Sequence, residues 1–100
     1  MTYSYLFSVA PGLHGQDVPY TYYNGGPANS NVANTTVALV LQDYITSFAV
    51  TGVPKREGDP EFQMYSNQST ILNLNITSIS EILDPTANAR CLFWQKGLYA

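Results

Sequence analysis

Along the chain, hydrophobic residues first recur at every second position and later at every third or fourth position. Residues 2–9 alternate, and this period with its aromatic side chains predicts a strand whose one face carries Tyr3, Tyr5, Phe7 and Val9. From residue 31 to residue 50 apolar positions recur every three or four residues, which predicts an amphipathic helix. Gly52 and Pro54 then provide stop signals. A chain with both periods belongs to the α/β class.

Two further elements are predicted in the second half. Residues 71–76 alternate again and predict a short strand, after a surface loop over residues 55–68. Asp84-Pro85 is a typical helix opening, and a terminal helix from there would align Ala87, Cys91, Trp94 and Leu98. Two strands and two helices close a core poorly, because a two-stranded sheet is marginal in water. We therefore expect one end of a larger α/β fold, incomplete on its own.

Length and charge exclude several classes of function. One hundred residues suit a single domain, and four Lys and Arg residues with a net charge of −3 give no electrostatic basis for binding nucleic acid or anionic lipid. The longest apolar run, residues 37–41, is far too short for a membrane span. One cysteine and one histidine cannot form a zinc site. We predict no metal and no other cofactor.

Other features bear on the cellular compartment. Asn34, Asn67 and Asn75 each begin an Asn-x-Ser/Thr sequon, which with the low lysine content favours a secreted glycoprotein. The first residues nevertheless lack the basic and apolar regions of a signal peptide. The simplest interpretation is that the chain is the tail of a longer protein. Cys91 is then either a small buried hydrophobe or half of a disulfide whose partner is absent from these residues.

His14 is the candidate for chemistry. It follows the first strand in a loop, between Gly12 and Gly15, and an imidazole is suited to proton transfer at neutral pH. A lone loop histidine is, however, most often an ordinary surface residue. Asp17 could orient it, although capping of a turn explains an aspartate there more simply.

Three segments, in order, resemble the C-terminal part of type-B carboxylesterases and lipases, especially the secreted fungal branch. They are residues 14–25 (HGQDVPYTYYNG), 41–48 (LQDYITSF) and 88–96 (NARCLFWQK). The resemblance implies that residues 1–100 are the C-terminal segment of such a domain. It also implies an α/β-hydrolase fold with strand, histidine loop, helix, short strand and terminal helix. His14 would be the general base of a Ser–acid–His triad, in which histidine comes last along the chain.

The rest of that machinery is missing from these residues. No Gly-x-Ser-x-Gly motif or glycine-rich oxyanion loop occurs, and the triad acid would precede Met1. We therefore expect no esterase activity from the chain alone, and a carboxylic ester as partner only with the missing N-terminal portion. The resemblance also implies that Cys91 pairs with an upstream cysteine.

Two alternatives remain open. Relatives of the fold have lost catalysis, so the chain could be a non-catalytic secreted interaction module of cholinesterase-like fold, with residues 20–23 as its contact surface. It could also be an independent small secreted domain, which would unfold cooperatively on its own.

Overall fold

The structure is a computed structural model that describes residues 1–26 and 31–97. Its elements are β1 (Tyr5–Phe7), α1 (Val18–Thr21), α2 (Thr35–Thr51), β2 (Thr70–Leu74), β3 (Ile79–Leu83) and α3 (Ala89–Gln95). The strands form one sheet in the order β1-β2-β3, with β1 parallel and β3 antiparallel to β2. The α/β class predicted from the sequence is confirmed. The prediction of two strands and two helices is wrong, because the described residues form three of each.

Helix α2 connects the two parallel strands and supplies half of the core. Its buried side chains pack toward Leu72 and Leu74 of β2 and are Val37, Ala38, Val40, Leu41 and Tyr44. The Asn34 side chain caps the helix by accepting a hydrogen bond from the Val37 N–H, at 3.2 Å. Gly52 ends it with φ +78°, the left-handed conformation that glycine adopts without strain. The helix bounds are therefore set by local chemistry, and its position by burial.

Several predicted bounds need correction. The first strand is limited to Tyr5–Phe7, not residues 2–9. The terminal helix begins at Ala89 rather than at Asp84-Pro85, because the Asn88 side chain accepts the N–H groups of residues 90 and 91. Asp84 instead closes a local turn by accepting the backbone N–H and the hydroxyl of Thr86, at 2.8 and 2.6 Å. Leu98, part of the predicted stripe, lies outside the described residues.

Much apolar surface remains exposed. On α2, Leu39, Ile45 and Phe48 are each more than two-fifths exposed, and α3 has no buried residue, with Trp94 59% exposed. Within residues 1–26 and 31–97, no helix is long and apolar enough to cross a membrane.

Candidate functional site

His14 lies at the tip of a turn beyond the C-terminal end of β1. The turn is closed by the Gln16 N–H, which donates to the Leu13 carbonyl at 3.1 Å, and by the Gln16 side chain, which accepts the Leu13 N–H at 2.7 Å. Gly15, the other central residue, has φ +79°, which a side chain would disfavour. The local sequence therefore fixes a tight turn that presents the imidazole to solvent.

The turn forms one wall of a cleft of about 330 Å³. The other walls come from the end of β1, from α1 and from the residues before α2, and include Phe7, Val9, Pro19, Tyr20 and Ala33. Across the described residues, no hydrogen bond or ion pair engages the imidazole. The side chain is thus accessible to a group presented from outside these residues.

The segment after the turn is anchored in the core through Tyr20. This side chain is buried, its ring meets that of Phe7 edge-on at 4.8 Å, and its hydroxyl accepts the Ala33 N–H at 3.0 Å. Gln42 of α2 donates from Nε2 to the carbonyls of Tyr20 and Tyr23, at 3.1 and 2.8 Å. The residues on the C-terminal side of the His14 turn are therefore held by both the strand and the helix.

Asp17 neither orients His14 nor caps α1 with its side chain. It precedes α1 without making a side-chain capping bond, and its Oδ2 accepts the Tyr5 hydroxyl at 2.8 Å. Burial raises the pKa of Tyr5 to about 12, and the hydrogen bond and the negative charge of Asp17 add to the rise. Sequence reasoning missed this pair. The one available signal was an amphipathic tyrosine on a predicted strand, whose hydroxyl needs a partner where it is partly buried.

The three sequon asparagines have different surroundings. Asn67 is exposed, whereas Asn34 is half-buried and caps α2. Asn75 donates from its Nδ2 to the backbone oxygen and to the Oγ of Ser8, at 3.1 and 3.0 Å. Asn67 is thus the position where a glycan would disturb the fewest contacts.

Cys91 lies half-buried on α3 as a free thiol. It lines a shallow surface cavity with Pro85 and Trp94. Its predicted pairing with a cysteine outside these residues stays a prediction. In the described part of the chain, no cluster of three His, Cys, Asp or Glu side chains could hold a metal ion.

Comparison with known proteins confirms the resemblance seen in the sequence. Carboxylesterase patB of Aspergillus clavatus is 42% identical over 94 residues, and carboxylesterase patB of Penicillium expansum is 32% identical over the same length. Each match covers 94% of this chain and 17% of the relative, so the chain spans about a sixth of the length of these relatives. No protein-family model matches the chain.

Proposed function

We propose that this chain, a homologue of part of the fungal carboxylesterases, supplies the general base His14 to an ester hydrolase. The serine nucleophile, the triad acid and the oxyanion hole would come from residues outside these 100. The observation that carries the proposal is homology to carboxylesterases over 94% of the chain, combined with an exposed imidazole beside a cleft at the end of β1. The substrate class is a carboxylic ester.

In this role, His14 would accept the proton of the serine hydroxyl while the serine oxygen attacks the ester carbonyl. The alcohol then leaves with that proton as the acyl-enzyme forms. Water, activated by the same imidazole, releases the acid and regenerates the serine. The mechanism needs an imidazole that is positioned yet accessible, and the closed turn with an exposed His14 supports this role.

We further propose that the chain forms the C-terminal part of an α/β-hydrolase fold. A parallel β1-α2-β2 unit is the repeating element of such sheets. The radius of gyration, 15.2 Å, exceeds the roughly 13 Å of a compact 100-residue domain. The exposed apolar residues of α2 and α3 also suit a unit that packs against more protein.

The sequons and the low lysine content support the proposal that the parent protein is a secreted glycoprotein. Whether its esters include lipids, as in the lipases of the resembled family, depends on an acyl pocket outside these residues. In the same proposal Cys91, a free thiol here, pairs with a cysteine of the remaining portion.

The alternative of a non-catalytic interaction module relies on residues 20–23 as a contact surface. Tyr20 is buried and Tyr23 half-buried, which leaves Tyr22, at 76% exposure, as the one fully accessible tyrosine of the three. That arrangement favours packing beside the cleft over recognition of a partner.

A hybrid enzyme tests the catalytic proposal. The segment of the Aspergillus clavatus carboxylesterase that matches this chain is replaced by residues 1–100, and hydrolysis of p-nitrophenyl butyrate is measured. We expect an active hybrid, whose kcat falls at least about a thousandfold in His14→Gln. Tyr22→Phe, an exposed change in the same segment, is the matched control and should retain activity.

A hybrid that is folded by circular dichroism and monodisperse but inactive would contradict the proposal and favour the interaction module. An active hybrid that tolerates His14→Gln would refute the assigned role. The 100-residue chain alone should show no hydrolysis above background.

A further inference from the structure

We propose that Tyr5 is a positioning residue for His14, because its hydroxyl holds the Asp17 carboxylate and so fixes the loop that carries the imidazole. This inference rests on the proposed function, since it names a second requirement of the same site. Tyr5 touches neither a substrate nor the imidazole, and it would act only through the loop.

The argument begins with how the loop is held. Within residues 9–17 the turns are closed locally by the Gly12 N–H on the Val9 carbonyl, at 2.8 Å, and by the Gln16 N–H on the Leu13 carbonyl. These bonds shape the loop but do not attach it to the sheet. Among the described residues, the Tyr5–Asp17 hydrogen bond is the one that joins residues 9–17 to a strand.

The bond closes a loop with His14 inside it. Tyr5 lies in β1, whose pairing with β2 fixes its backbone, and Asp17 lies immediately before α1. A side-chain bond between residues 12 apart therefore restrains both ends of the segment that presents the imidazole. Asp17 also accepts the N–H and the hydroxyl of Thr21 on its carbonyl, at 2.9 and 3.1 Å, which couples the same residue to α1.

The Tyr5–Asp17 pair lies at the surface, and its chemistry suits a hydrogen bond that persists with changing pH. A phenol that donates to a carboxylate makes a charge-assisted bond, which is stronger than a bond between neutral groups. The raised pKa of Tyr5 keeps the donor proton in place throughout the pH range of ester hydrolysis. The carboxylate has no competing role as a helix cap. The Tyr5–Asp17 hydrogen bond, called the tether below, therefore explains an aspartate at this position.

Four variants of the hybrid enzyme test the tether: Tyr5→Phe, Asp17→Ala, Asp17→Asn and the double variant Tyr5→Phe/Asp17→Ala. We expect Tyr5→Phe and Asp17→Ala each to lower kcat about tenfold, about 1.4 kcal/mol, with KM changed less than about twofold. The double variant should be no worse than either single one, because both remove the same bond. Asp17→Asn keeps an acceptor oxygen and should recover most of kcat.

Hydrogen–deuterium exchange of the peptide covering residues 9–17 provides a readout that does not need activity. Exchange should quicken in Tyr5→Phe and Asp17→Ala, and stay at the unmodified level in Tyr22→Phe, which alters an exposed ring nearby. Unchanged exchange and kcat in Tyr5→Phe would overturn the inference, as would losses that multiply in the double variant. In a hybrid that folds but hydrolyses no ester, the proposed function fails and exchange alone decides whether the tether exists.

Discussion

Replacing Gln42 by methionine should loosen the segment that follows the His14 turn while leaving the packing volume nearly unchanged. Gln42 Nε2 donates to the carbonyl oxygens of Tyr20 and Tyr23, at 3.1 and 2.8 Å. Tyr20 lies in the four-residue helix α1 and Tyr23 lies two residues beyond its end, and the Tyr20 carbonyl also accepts the Tyr23 N–H at 3.4 Å. The substitution therefore removes two hydrogen bonds from a part-buried position and puts no donor in their place.

The expected loss of stability follows from the net contribution of such hydrogen bonds, about 1 kcal/mol each. Loss of both should lower the free energy of opening of this segment by about 2 kcal/mol. A segment that opens about 2 kcal/mol more easily should exchange its amide hydrogens about thirtyfold faster. Gln42→Glu should cost at least as much, because it places a carboxylate against two carbonyl oxygens.

Hydrogen–deuterium exchange of the peptide covering residues 18–26, measured in the hybrid enzyme, reports this change. Gln68→Met is the matched control, since Gln68 is exposed and its side chain makes no hydrogen bond in the described structure. The reasoning is refuted if this peptide exchanges at the same rate in Gln42→Met and in Gln68→Met. Faster exchange throughout the hybrid enzyme would instead indicate that the substitution lowered its global stability.

Three further predictions concern ionisation and glycosylation. Burial, with the charge of Asp59 adding to it, raises the pKa of Tyr44 to about 12, so the free energy of unfolding should be constant below pH 10 and fall as pH rises toward 12. The pKa of Tyr5 is raised to about 12 as well, so Tyr44→Phe should remove only part of the tyrosinate absorbance that develops near pH 12, and a loss of absorbance near pH 10 instead would be contrary. The Thr86 hydroxyl and N–H lower the pKa of Asp84 from 3.8, so stability should fall as pH drops below about 4, and Thr86→Val should flatten that dependence. When the protein is secreted from a glycosylating host, glycopeptide mapping should find Asn67 occupied. A glycan on Asn75 should lower the thermal midpoint, because it replaces one hydrogen of the Nδ2 group that donates to Ser8. Equal thermal midpoints with and without a glycan on Asn75 would contradict the role given to that side chain.

The elements that the sequence predicts well are those whose burial repeats over many residues. Helix α2 was expected over residues 31–50 and occupies Thr35–Thr51, and the second strand, expected over residues 71–76, occupies Thr70–Leu74. In both elements the apolar residues repeat at a constant spacing because one face of the element packs against the core. The bounds moved by a few residues because caps and pairing partners, rather than periodicity, decide where an element ends.

Strand β3 was missed because the alternation of β2 continues into the turn. Ile76 extends the period of Leu72 and Leu74, yet the chain reverses there: the Asn75 N–H donates to the Ser78 carbonyl at 3.2 Å. The pairing of Leu74 with Ile79 then begins β3. A period of two is equally satisfied by one long strand or by two short ones, and only the cross-strand register separates them.

The candidate site illustrates a stricter limit of sequence reasoning. A lone histidine between two glycines carries no physical signal that separates a catalytic base from a surface residue, and the resemblance to carboxylesterases, not periodicity, singled out His14. The hydrogen bond between Tyr5 and Asp17 could not be predicted, because it depends on where the loop brings the chain back to the strand 12 residues after Tyr5. Alternation placed Tyr5 on the same face as Tyr3 and Phe7, where a hydrocarbon would pack equally well. Tyr3 carries the same hydroxyl group, so only the path of the loop shows that Asp17 is the partner of Tyr5.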